Sequence, residues 1–144
     1  MLVKLVCAQK YLNFSGFGDC YIKINADDFF PDEKWEDFCL YIINGWLSDL
    51  ETNKMLKVAI FSLHFMDGPY YLLCKKESED MTIQGMKEGI ETPFFIERIK
   101  YAVFLNLVYD AARMVLKKMQ EKGVFNRDVS TLTSYLNNTG DVSE

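Results

Sequence analysis

Residues 57–77 read KVAIFSLHFMDGPYYLLCKKE. Two runs rich in β-branched and aromatic residues flank Asp67-Gly68, a strong two-residue hairpin signal. That turn sets Met66 against Pro69, Phe65 against Tyr70 and His64 against Tyr71. Pro69 has no N–H to donate, a loss that is tolerable where it opens the return strand. Side chains alternate with period two, so the register divides the hairpin into two faces. Ala59, Phe61, Leu63, Phe65, Tyr70, Leu72 and Cys74 form a face that demands a core. Val58, Ile60, Ser62, His64, Met66, Tyr71, Leu73, Lys75 and Glu77 form the other. It is too polar for a core and too apolar for idle surface, which suits a binding role.

The rest of the chain is built outward from this hairpin. Met1 to Gln9 reads as a strand, Asn13 to Asp19 as turn material, and Cys20 to Asn25 as a second strand. The pair Gly16 and Gly18 lacks the third glycine and following helix of a nucleotide loop, so it is a hairpin connection. Pro31 is read as opening a helix. Its apolar stripe runs through Trp35, Phe38, Cys39, Ile42, Ile43, Trp46, Leu47 and Leu50 to a stop at Asn53. Met81 to Lys87 is a further strand. Thr92-Pro93 reads as an N-cap and first-position proline for a helix from Phe94 to Lys122. Ile96, Ile99, Val103, Leu107, Ala111, Met114, Val115 and Met119 would face inward, and Gly123 would end it. Asp128 would cap a short last helix through Leu136, leaving 137–144 as a frayed tail. The expected order is ββαβββαα. That is a single α+β domain over 1–144, with an antiparallel sheet of about five strands, two main helices and a short C-terminal helix.

Composition narrows the function. Of 144 residues, 49% are hydrophobic and 15% aromatic, enough for a core without staples. The net charge of −5 disfavours direct contact with nucleic-acid phosphates and favours a basic partner. Cys7, Cys20, Cys39 and Cys74 each lie in an apolar stretch, with none of the close pairing common among zinc ligands. No metal and no cofactor is expected, and the thiols read as reduced and buried. The chain opens Met-Leu-Val-Lys without a secretory signal. Its longest uncharged apolar stretch, Tyr101 to Tyr109, falls short of the ~20 residues that span a bilayer. A cytoplasmic location is expected, with no membrane contact.

No catalytic constellation emerges. His64 is the only histidine, and the hairpin register turns Cys74 to the opposite side of the sheet. Asp27 to Asp37 lacks the alternate-position ligands, glycine and final glutamate of a calcium loop. GxSxG, HExxH and P-loop patterns are missing, so the chain is read as no enzyme. The same acidic segment holds Asp27, Asp28, Asp32, Glu33, Glu36 and Asp37 against Lys34 alone. Its plain reading is charge at a helix start. Its sharper reading is a docking surface that steers a basic partner. Glu77 to Glu91 is a second acidic stretch.

Two segments, DDFFPDEKWEDF at 27–38 with INGWL at 43–47, and FMDGPYYLL at 65–73, carry a family resemblance. The chain resembles small bacterial immunity proteins of contact-dependent and polymorphic toxin systems. The resemblance implies a cytosolic inhibitor that binds one cognate toxin domain, basic and in many cases a nuclease, and occludes its active or substrate surface. Asp27, Asp28, Asp32, Glu33, Glu36 and Asp37 would then form the electrostatic rim, and His64 and Tyr71 the aromatic centre. Two other readings stay open: a small-ligand-binding or enzymatic α+β domain, and a subunit of a larger complex.

Overall fold

The computed structural model describes residues 3–138. Strands β1 (Val3–Leu12), β2 (Phe17–Ile24), β3 (Asp28–Phe30) and β4 (Glu36–Phe38) precede helix α1 (Cys39–Asn53). Strands β5 (Val58–His64), β6 (Tyr70–Glu77), β7 (Asp80–Lys87) and β8 (Ile90–Lys100) follow. Helices α2 (Tyr101–Glu121) and α3 (Arg127–Asn138) close the described chain. The architecture is α+β, with two four-stranded antiparallel sheets in place of the single sheet of about five strands.

In the first sheet, β1 and β2 set Val3, Leu5 and Cys7 opposite Ile24, Ile22 and Cys20, and all six are buried. The far side of β2 is shared by β3 and β4, which run antiparallel to its two ends. The pairing of β1 breaks between Cys7 and Leu12, where Ala8 takes a φ of 57°. The Asp19 carboxylate accepts the backbone N–H groups of Gln9, Lys10 and Tyr11 at 3.0–3.1 Å, satisfying donors that the broken ladder leaves free. Beside it Gly18 admits no side chain: a Cβ there would stand 2.2 Å from the Tyr11 carbonyl oxygen. Gly18→Ala is expected to cost about 1–3 kcal/mol, the range for overpacking. A urea midpoint equal to that of the wild type would contradict this close approach.

The second sheet has the order β5-β6-β7-β8. Its hairpin register is the expected one, with Phe61 opposite Cys74, Leu63 opposite Leu72 and His64 opposite Tyr71. Ala59, Leu63, Phe65, Leu72 and Cys74 are buried, while Phe61 and Tyr70 are half-buried against the core. Helix α1 packs on α2, α3, β2 and β5, and α2 lies along β1. Trp46 is the centre of α1: its ring meets Phe65 and Phe104, and its indole N–H donates to the His64 carbonyl at 2.9 Å. Phe30 ties the two sheets together, with its ring 5.4–5.9 Å from those of Phe65, Tyr70, Phe94 and Phe95.

Both proline signals were misread as helix starts. Pro31 follows Phe30 through a cis peptide and leads into β4, so α1 begins eight residues later, at Cys39. The backbone around Trp35 hydrogen-bonds β2, as in the Cys20 N–H to Trp35 carbonyl bond of 3.0 Å, and that pairing excludes helix there. Thr92 and Pro93 lie in β8, an edge strand, where a missing donor costs no ladder bond. Helix α2 starts at Tyr101; Ala111, Val115 and Met119 are buried as expected, and Phe104, Val108 and Ala112 complete the buried face. Ile96, Val103 and Met114 are exposed instead. Gly123 does end the second helix segment, at a φ of 73°. The side chain capping α3 is Asn126, which accepts the Val129 N–H at 2.9 Å, rather than Asp128. Asn137 and Asn138 belong to α3, and the remainder of the expected frayed tail lies outside the described residues.

Candidate functional site

The acidic segment forms the outer border of the first sheet. Asp27, Asp28, Asp32, Glu33 and Glu36 are all exposed. Asp28 opens β3 opposite Ile24, and Glu36 opens β4 opposite Asp19. Asp32 accepts the Glu33 N–H at 2.8 Å, which fixes the turn between the two strands. Among the described residues the ion pairs are Lys54–Glu51, Arg98–Asp80, Lys100–Asp80 and Arg113–Asp110, so these five carboxylates enter none. Glu33 and Glu36 line a cleft of about 310 Å³ with Asp19, Tyr21, Lys10 and Lys34. Desolvation and then Asp19 raise the Tyr21 phenol above its usual pKa, and desolvation and then Glu36 do the same for Tyr11. The cleft combines three carboxylates with two lysines. Charged side chains along a sheet border also discourage strand addition by another chain.

Asp37 departs from its expected role. It is fully buried, so its side chain offers no surface to a partner. Its carboxylate accepts the Trp35 indole N–H at 2.9 Å and the Phe38, Met66 and Asp67 backbone N–H groups at 2.8–3.1 Å. Asp37 therefore clamps the tip of the β5–β6 hairpin to the acidic segment. Trp35 completes the clamp: its ring lies 5.4 Å from that of Tyr70 and fills the space beside Gly68. The five exposed acids project from a backbone held at both ends.

His64 and Tyr71 are brought together as expected, stacked at 5.2 Å between ring centroids and 28° between planes. They occupy the outer face of the second sheet, with Val58, Ile60 and Ile96 exposed around them. The acidic segment touches the hairpin through Trp35 on its Tyr70 side, which is the inner one. The two clusters foreseen as rim and centre of one interface thus lie on opposite sides of the sheet. Asp49 of α1 lies within electrostatic reach of His64, while desolvation raises its own pKa. Cys74 is buried on the inner face, and burial pushes its thiol up, so it forms no nucleophile pair with His64.

Sequence spacing gave no sign of one further grouping. Cys7, Cys20 and Cys39 are buried, and their sulfur atoms lie within 4.8 Å of one another. Cys7 and Cys20 are cross-strand partners, 3.9 Å apart at sulfur. Cys39 reaches them as the first residue of α1, beside the Asp19 carbonyl at 3.3 Å. Hydrogen bonds from Cys20, then Cys7, draw Cys39 below the ordinary thiol range, while Cys20 and Cys7 themselves are pushed up. All four cysteines are free thiols. Alkylation after unfolding without reductant is expected to modify four sites; two fewer would reveal a bridge.

Comparison with known proteins finds no match for this chain among family models, curated proteins or solved structures. No helix among the described residues is long and apolar enough to cross a membrane.

Proposed function

We propose that this chain is a non-enzymatic binding protein of the immunity kind, which neutralises a basic toxin domain by covering its active or substrate surface. The observation that carries this reading is the clamped acidic border. Asp27, Asp28, Asp32, Glu33 and Glu36 are exposed and form no ion pair among the described residues, on a backbone pinned by Trp35 and Asp37. A preorganised set of carboxylates loses little entropy on docking and steers a cationic surface by long-range attraction. Against a nuclease, such carboxylates would take the positions of substrate phosphates opposite lysine and arginine side chains. The cytoplasm, where a producing cell needs protection, is the compartment this reading requires.

The reading predicts a basic toxin domain encoded beside the chain's own gene, and association kinetics with that domain test it. Charge reversal at Asp32, Glu33 and Glu36 together is expected to slow association about 10-fold or more at low salt and to flatten its salt dependence. Tyr71→Ala, on the far side of the second sheet, is expected to change neither rate. The reverse pattern would move the interface to the outer face. An intact fold with no effect from either variant would remove both surfaces.

A further inference from the structure

We propose that Cys7, Cys20 and Cys39 form a binding site for a single thiophilic d10 metal ion, held as a three-thiolate centre. An ion about 2.3 Å from three sulfurs in a plane sets them about 4.0 Å apart. The Cys7–Cys20 separation is 3.9 Å and the whole set lies within 4.8 Å, so an ion needs only small side-chain shifts. Each ligand comes from a separate element, β1, β2 and α1, and all three are at most 2% exposed. Such a site is rigid and dry. A donor set of sulfur alone selects soft ions, monovalent copper or the zinc group, over magnesium or calcium.

Ala8 adopts its left-handed conformation directly after Cys7, and the Cys39 thiol donates to the Asp19 carbonyl at 3.3 Å, a bond that ligation replaces. Lys118 of α2 donates to the Ala8 and Gln9 carbonyls and ties α2 to the segment that follows Cys7. The Asp19 carboxylate opposes negative charge on Cys39 and that of Asp37 opposes it on Cys20, so the charge of the bound ion itself must hold the thiolates. Ligation displaces the thiol protons as the sulfur–metal bonds form.

Titration of the full, reduced chain with Cd²⁺, and separately with Cu(I) under anaerobic conditions, tests the site. At least one ion is expected to bind at one per chain with an ultraviolet sulfur-to-metal charge-transfer band. Cys39→Ala and Cys7→Ser should each weaken binding about 100-fold or more, beyond the usual effect of an outer-contact loss. Cys74→Ser, outside the cluster, should leave band and stoichiometry unchanged. Circular dichroism identifies variants that keep the fold. A wild type that takes up neither ion would overturn the site. So would a band that persists in a folded Cys39→Ala variant, or one that vanishes with Cys74→Ser. Binding of one ion alone supports the site and assigns its charge.

Discussion

Asp37→Ala is expected to destabilise the fold by about 3 kcal/mol or more. The change removes the acceptor of the Trp35 indole and of the Met66 and Asp67 N–H groups, besides that of Phe38. Each buried donor stranded in this way costs about 1–3 kcal/mol. The total stays near the low end of the sum, because Met66 and Asp67 are themselves exposed and water can reach them. Asp37→Asn keeps one carbonyl acceptor and is expected to cost less. Urea unfolding with an unchanged slope reads both values. An Asp37→Ala midpoint within about 0.5 kcal/mol of the wild type would show that the clamp is dispensable. The same variant should weaken partner binding, since the acidic border depends on that clamp.

Trp46→Ala is expected to cost about 3–5 kcal/mol, the range for emptying a large aromatic site in a core. The ring is 2% exposed and meets Phe65 of the hairpin and Phe104 of α2, so the cavity would open where both sheets' packing converges. The lost indole N–H bond also leaves the His64 carbonyl without that donor. Trp46→Phe refills most of the space and forgoes chiefly the hydrogen bond, about 0.5–1.5 kcal/mol. Equal midpoints for the Ala and Phe variants would contradict a packing role.

The hairpin was legible because two independent signals agreed: period-two alternation and a turn dipeptide that fixes register. The His64–Tyr71 stack followed from that register alone. The prolines misled because the rigid φ of proline suits the first turn of a helix and an edge strand equally. Trp35 and Phe38 happened to fit the helical spacing of the α1 stripe, yet Trp35 precedes β4 and Phe38 is its last residue. The role of Asp37 was hidden, since the N–H groups of Met66 and Asp67 come from 29 and 30 residues away. Local charge counting could only place Asp37 among its acidic neighbours. The thiol cluster was hidden for the same reason: an antiparallel pairing and a helix start unite cysteines that share no local motif.

The immunity reading predicts a toxin domain encoded next to this chain, and the activity of that domain is its most direct test. Purified domain and chain are mixed at increasing ratios, and toxin activity is followed in a buffer of moderate salt. The expected result is loss of activity that completes at one chain per toxin domain, with charge reversal at Asp32, Glu33 and Glu36 shifting the curve to higher ratios. Full toxin activity at a large excess of folded chain, with no complex on gel filtration, would contradict it.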